Sequence, residues 1–173
     1  ALVSLARQSP PDGRTALPGF VKHPTWQVRM YAARAAGVLA AVADLQTLAG
    51  DPVDNVRAAA LTALIDLKRP EAVPVAIDSL TRLDYQLILT AVRALDDRAS
   101  APRAIPALLT ALGRITAEHK DTSRDPRMAI LNRLQALGDR SQAVHLEAYL
   151  TDFDRRVAEK AAEILTAWTG KPR

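Results

Sequence analysis

The chain has 173 residues and a formal net charge of +4, with 49% hydrophobic residues but only 4% aromatic ones. It contains no cysteine, which excludes disulfides, thiol redox chemistry and cysteine-ligated zinc. The small positive surplus gives little indication of a polyanionic partner, and no apolar run is long enough to span a membrane. A core built mainly of Ala, Leu, Val and Ile favours stacked helices over a β-sandwich.

Apolar residues recur at helical spacing along most of the chain. We expect a short helix over residues 1–8, a loop over 9–14 and a short second helix over 15–22. Helix pairs are then predicted over residues 25–39 with 40–49, 54–67 with 71–83, 84–95 with 101–118, and 127–137 with 141–150. A charged insertion separates the last two pairs at residues 119–125, and a final helix over 153–168 has no partner.

The clearest unit begins with DPVDNVRAAALTALIDL at residues 51–67. Its apolar residues fall at i, i+4, i+7, i+8 and i+11, which is one face of a helix. Ala60 and Ala63 are small enough for a neighbouring helix to approach closely. We expect both to be buried at helix contacts, as Ala32 and Ala35 should be in the preceding copy.

Copies of this unit follow at nearly constant spacing. His23-Pro24 with Val28-Arg29 matches Asp51-Pro52 with Val56-Arg57 at an offset of 28, and residues 105–115 match 73–83 at an offset of 32. A period near 30 residues is typical of stacked helix pairs. The sequence therefore predicts an all-α, right-handed α-α superhelix of about five helix pairs, forming one domain over residues 1–173.

The segments DPVDNVRAAALTAL and EAVPVAIDSL resemble the short HEAT-repeat class, also called HEAT/PBS-lyase-type repeats, over roughly residues 15–168. The resemblance implies a HEAT/armadillo-like solenoid that serves as a scaffold or protein-interaction module. Three other segments, HPTWQVRMYAARAAG, TSRDPRM and AEILTAWTG, are similar to the HEAT region ahead of bacterial cyclophilin-type prolyl isomerase domains. An accessory region of a larger bacterial enzyme is therefore the alternative. A phycobilin-lyase-like HEAT module is a third interpretation, which no specific residue indicates.

Three arginines stand six residues after the start of a unit. The structural interpretation is a ladder in which each arginine pairs with an aspartate of its own or a neighbouring unit. The members of this predicted ladder are Arg29, Arg57, Arg127, Asp51 and Asp121. The other interpretation is a track for nucleic-acid phosphates, but Glu118, Asp121 and Asp125 interrupt the basic stretch. We favour the ladder and keep nucleic-acid binding as a second alternative function.

No residue pattern predicts catalysis. The chain has neither a G-x-S-x-G elbow nor a glycine-rich phosphate loop, and its three histidines are isolated. We expect no enzymatic activity, cofactor or metal site in this segment. The expected partner is a protein bound on the concave face, which is lined by the second helices of the pairs. Candidate contacts on that face are Asp78, Arg82, Arg103 and Arg114.

Both ends of the chain resemble internal parts of a solenoid. The chain starts at Ala1 without a methionine, and the last predicted helix has no second helix to cover it. We therefore expect this segment to be a piece of a longer protein that continues beyond Arg173. Exposed apolar surface at the ends should also favour self-association through the terminal helices. The sequence carries no indication of a cellular compartment.

Overall fold

The computed structural model describes residues 1–172, and within them the chain forms helices and short 3-10 turns without a β-strand. The α-helices of this part of the chain are α1 (Leu2–Gln8), α2 (Pro10–Ala16), α3 (Pro18–Val21), α4 (Trp26–Val38), α5 (Val42–Ala49), α6 (Asp54–Asp66), α7 (Ala72–Ser79), α8 (Tyr85–Ala94), α9 (Ala101–Ala117), α10 (Arg124–Leu137), α11 (Ala143–Leu146) and α12 (Arg155–Thr169). The 3-10 turns are Arg98–Ser100, Asp121–Ser123, Arg140–Gln142 and Glu147–Thr151. The predicted all-α class is confirmed, and the succession of helix pairs is that of an α-solenoid.

The chain divides into two compact units, one over Ala1–Ala94 and one that begins at Leu95. The boundary falls between α8 and α9, which the sequence predicts to be the two helices of one pair. The first unit contains α1 to α8, and the second contains α9 to α12. Each unit has a hydrophobic core of its own, and the prediction of a single domain stays a prediction.

In the first unit α4, α6 and α8 lie side by side, and α5 and α7 pack against them. Ala32, Ala35 and Ala60 are fully buried at these contacts, as predicted. Ala63 is only half-buried, so its predicted burial is wrong in degree. Its methyl group nevertheless marks a very close approach of α6 to α4, because a Cβ atom built at Gly37 would lie 2.8 Å from the Cβ of Ala63.

The predicted loop at residues 9–14 is wrong, because α2 occupies most of it. Pro10 opens this helix in its first turn, where a missing N–H group costs nothing. Gly13 lets α2 lie directly on α1, since a Cβ atom there would come within 2.8 Å of the Cα of Ala6. The helix predicted over 15–22 is consequently reduced to the single turn of α3.

The ends of α4 and α6 repeat one hydrogen-bonded turn. Ala40 and Lys68 follow these helices with positive φ angles of 51° and 52°, and they are separated by the repeat offset of 28 residues. The next N–H group, at Ala41, donates to the carbonyl of Ala36, and the N–H of Arg69 donates to Leu64, both at 2.9 Å. This is the Schellman ending, in which glycine is the usual residue at the left-handed position.

Several helices differ in their bounds from the prediction. Helix α7 ends at Ser79, and the hydroxyl of Thr81 donates to the carbonyl of Asp78 at 2.7 Å beyond it. Helix α10 begins at Arg124 and holds Pro126 in its first turn, where the N–H group has no intrahelical acceptor. Helix α11 has four residues and continues as a 3-10 turn.

The core of the second unit lies where α10 packs between α9 and α12. Its buried aliphatic side chains include Leu108, Leu112, Ile115, Ile130, Leu134, Val157, Ile164 and Leu165. No helix in the described part of the chain combines the length and the apolar character needed to cross a membrane.

The contact between Gly37 and Ala63 yields a prediction whose sign opposes helix propensity. Alanine is the better helix former by about 1 kcal/mol, yet Gly37→Ala should lower the stability because overpacking costs about 1–3 kcal/mol. Urea unfolding should show this loss, and adding Ala63→Gly should recover most of it.

Gly113 provides the matched control within α9. A Cβ atom at this position would meet only the hydroxyl of Tyr149, at an ordinary distance of 3.7 Å. Gly113→Ala should therefore raise the stability by about 0.5–1 kcal/mol. Equal effects of the two glycine substitutions would contradict the close approach of α4 and α6.

Candidate functional site

The Arg29 side chain joins two successive helix pairs. Its Nε and Nη2 donate to the carboxylate of Asp51 at 2.5 and 2.9 Å. Its Nη1 donates to the backbone carbonyls of His23 and Pro24 at 2.8 and 3.0 Å. Asp51 also accepts from the N–H of Val53 at 2.9 Å. Arg29 thus ties the turn before its own helix to the turn that starts the next pair.

Arg57 occupies the equivalent position in the next copy and is buried. Its guanidinium donates to the carboxylate of Asp78, 21 residues further on, and to the backbone carbonyl of Asp51 at 3.4 Å. Asp78 lies near the end of α7, and its side chain is 65% exposed. The carboxylate that receives Arg57 is therefore a residue that the sequence assigns to the partner surface.

Arg127 forms the corresponding contact in the second unit. Its Nη1 donates to both carboxylate oxygens of Asp152 at 2.8 Å, and the two side chains are 0% and 1% exposed. The guanidinium also lies over the ring of Phe153, 4.3 Å from its centroid. Asp121, the expected ladder member six residues earlier, is exposed and is not its partner.

A second set of ion pairs runs beside the first. Arg82 donates to Asp54 at 2.8 Å, and Arg124 donates to Asp154 at 2.5 Å. Sequence reasoning missed both acids, although each stands two or three residues after an aspartate that starts a unit, in DPVD and DFD. A search for the second acid in those two motifs would have found them.

The electrostatics of Asp51 and Asp154 follow from these contacts. Burial raises the pKa of each carboxyl, but the hydrogen bond from Arg29 or Arg124 and the nearby backbone N–H groups lower it more. The net pKa of both carboxyls therefore lies below the usual range. These groups are structural anions that stay charged through the neutral range.

The four predicted partner contacts do not form one exposed set. Asp78 is held by Arg57, and Arg82 lies beyond the end of α7 with its guanidinium on Asp54. Arg103 is exposed on α9, whereas Arg114, on the same helix, is partly buried. Of the four, Asp78 and Arg103 are exposed, and Asp78 is engaged by Arg57.

The histidines are dispersed over the two units. His23 accepts the N–H of Thr25 on its Nδ1 at 3.1 Å, just before α4 begins. The ring of His119 lies 5.1 Å from that of Phe153, and His145 is exposed on α11. Within residues 1–172, no group of three or more histidines and carboxylates is arranged to hold a metal ion.

The lowered pKa of Asp51 predicts how stability depends on pH. A depressed folded-state pKa contributes stability above the ordinary aspartate value of about 3.9, and this is lost as pH falls through the folded value. Asp51→Asn should cost about 1.5–3 kcal/mol at neutral pH, because Arg29 loses its charged acceptor. Urea unfolding at several pH values should also show a smaller loss of stability in acid for this variant.

Asp66→Asn, at the exposed end of α6, is the control for that series. It should leave both the neutral stability and the acid slope close to those of the wild type. If Asp51→Asn lost as much unfolding free energy in acid as the wild type does, the Asp51 carboxylate would not be the source of the pH dependence.

Comparison with known proteins agrees with this arrangement. Residues 16–87 match the family described as HEAT repeats. A chain in the structure of the complex of CpcE and CpcF of phycocyanin lyase from Nostoc sp. PCC7120 is similar, with 26% identity and a TM-score of 0.60. The match covers 90% of the present chain and 64% of that one. No curated protein sequence matches.

The resemblance to the HEAT region of cyclophilin-type isomerases is not shown by these matches and stays a hypothesis. The resemblance to HEAT repeats is confirmed. Helices α4 to α7, which carry the first two arginine contacts, lie inside the matched segment.

Proposed function

We propose that this chain is a non-catalytic HEAT-repeat module that binds a second protein through the exposed faces of its second helices, α5, α7, α9 and α11. The observation that carries the proposal is the composition of those faces. Their exposed residues are small, apolar or weakly polar, and only Asp78 and Arg103 bear a charge. The full set is Ala43, Gln46, Thr47, Pro74, Asp78, Pro102, Arg103, Pro106, Thr110, Gly113, Ala117, Val144 and His145.

The exposed residues of the first helices differ in kind. They include many charged side chains, among them Arg34, Asp66, Arg93, Asp125, Glu159 and Glu163. The centre of a protein interface is depleted of charge, whereas an ordinary solvent-facing helix surface is rich in it. The contrast between the two faces therefore supports the second helices as the contact surface within each unit.

Charges on the second-helix face are further reduced by contacts inside the protein. Asp78 gives one carboxylate oxygen to Arg57, which compensates its charge. Arg103 is then the exposed cation on α9 that remains for a partner, and we propose it as a contact that orients the bound protein. A phosphate track would need a larger basic surplus than this face offers.

The similar structure supports a protein as the partner. That structure is a complex of two different proteins, CpcE and CpcF, and the present chain corresponds to 64% of one of its chains. Both this similarity and the weakly charged faces support the same function, the binding of another polypeptide by a HEAT module. The lyase activity belongs to that complex.

The proposal predicts that one large charged side chain on α9 disrupts partner binding. Thr110→Arg places an unpaired cation in the middle of the small-residue face and should weaken recovery of the partner about tenfold. The measurement is quantitative affinity purification with the intact gene product, followed by binding titration with the protein recovered.

Asn132→Arg on the outer side of α10 is the matched control, since Asn132 is equally exposed on a first helix. The control should keep the partner, and both variants should keep the wild-type melting temperature. Retention of the same partner by Thr110→Arg and Asn132→Arg would overturn the proposed face.

A further inference from the structure

The three ladder arginines differ in how their N–H groups are satisfied. Arg29 and Arg57 each donate to the backbone carbonyl of the residue six positions earlier, at His23 and Asp51. The residue six positions before Arg127 is Asp121. There the carbonyl already accepts the N–H of Arg124, because residues 121–123 form a 3-10 turn. Arg127 does not donate to that carbonyl within the described residues, so it lacks the acceptor that Arg29 and Arg57 use.

The result is a buried guanidinium with unused donors. The Nε and Nη2 of Arg127 have no hydrogen-bond partner among residues 1–172, although the side chain is 0% exposed. A buried charged donor without an acceptor is costly, and such groups are rare in native proteins. Arg57 shares the unused Nε, but its Nη1 and Nη2 both have acceptors.

Phe153, whose ring contacts this guanidinium, also lines a cavity of about 390 Å³. Its lining consists of Asp121, Arg124, Phe153, Asp154, Arg155, Arg156 and Glu159. The ring of Phe153 belongs both to this lining and to the cation-π contact with Arg127. Phe153 is thus the boundary between the cavity and the unsatisfied guanidinium.

Donors exceed acceptors around the cavity. Arg124 is paired with Asp154, and Arg155 with Glu159. The exposed side chain of Arg156 has no partner in the described part of the chain, and neither has Asp121. The acceptors without a partner are therefore those of Asp121 alone, whereas the donors without a partner are the Arg156 guanidinium and two nitrogens of Arg127. A ligand that supplies further acceptors would satisfy these donors.

We propose that this cavity binds a carboxylate group of a polypeptide, either an acidic side chain or a chain end. Arg156 makes the first contact, and the oxygens reach Nε and Nη2 of Arg127 when Phe153 turns away. The side chain of Phe153 is 42% exposed, and its other aromatic neighbour, His119, is an exposed residue. The site is distinct from the second-helix faces and does not depend on their function.

The test follows the Nε–H signals of arginine by NMR during titration of the full chain, with Arg127 and Arg156 assigned through bonds. The probes are N-acetylalanine, which has a free chain-end carboxylate, N-acetylglutamate amide, which has a side-chain carboxylate, and N-acetylalaninamide, which has neither. Both carboxylate probes should shift the two signals to saturation, and the better of them identifies the source. The amide should shift neither signal.

Two variants that avoid the buried pair test the geometry. Arg156→Gln should raise the Kd of the better probe about tenfold, the value of one hydrogen bond to a charged group. Phe153→Ala should lower that Kd, because it uncovers Arg127. Arg140→Gln, which removes an exposed arginine outside the cavity lining, should leave it unchanged.

Three results would overturn the site. The first is an Arg127 signal that responds to no probe, which is the result expected if an ordered water accepts both hydrogen bonds. The second is an equal response to the amide and the carboxylates. The third is an equal loss of affinity in Arg156→Gln and Arg140→Gln, which would mean general charge attraction.

Discussion

The contact between an arginine near the start of a first helix and a later aspartate, in the same helix pair or at the start of the next one, is the interaction on which the repeat arrangement depends. A guanidinium can satisfy several acceptors in one plane, so a single side chain binds a carboxylate and a backbone carbonyl together. For Arg29 and Arg57 the carbonyl belongs to the turn before the arginine's own helix, and the carboxylate is that of Asp51 in the following turn or of Asp78 in α7. The Arg29 contact thereby sets the distance between two successive pairs, and the Arg57 contact joins the two helices of one pair.

Such contacts define the geometry more than they add to the free energy of folding. Removing two opposite charges from water costs nearly as much as their attraction returns, and much of the net stability comes from apolar burial. The aliphatic and alanine side chains between the helices supply that burial. The ion pairs penalise any other register of the same helices, because a misplaced pair would leave a buried charge without its partner.

The helices and the arginine register could be predicted from the sequence, because both depend on local spacing. Apolar periodicity located α4, α6 and α12 to within two or three residues, and the six-residue interval identified the arginines. The partners of those arginines could not be predicted in the same way. Asp78 is selected by how α7 packs against α6, and Asp152 by how the turn before α12 packs against α10. No local motif marks the acid that a distant guanidinium reaches.

The remaining differences also have a physical origin beyond composition. The segment SPPDGR has the residues of a loop, yet its prolines suit the first turn of α2 and its glycine suits a close helix contact. The assignment of Asp78 and Arg82 to a partner surface was uncertain for a similar reason, since exposure at a helical position does not reveal an intramolecular ion pair. Arg103 forms no such ion pair within the described residues, and its exposure could therefore be predicted from its helical position.

The left-handed residues Ala40 and Lys68 have a consequence for how the first unit folds. This conformation is unfavourable by about 1–2 kcal/mol for a residue with a Cβ atom, whereas glycine adopts it at little cost. An isolated helix pair gains too little from its own turn to offset that cost, since short helices are marginal in water. The turn becomes favourable once a neighbouring pair covers the helices on both sides of it. Order should therefore spread through this unit from pair to pair as a cooperative process, and a single pair cut from the chain should remain unfolded.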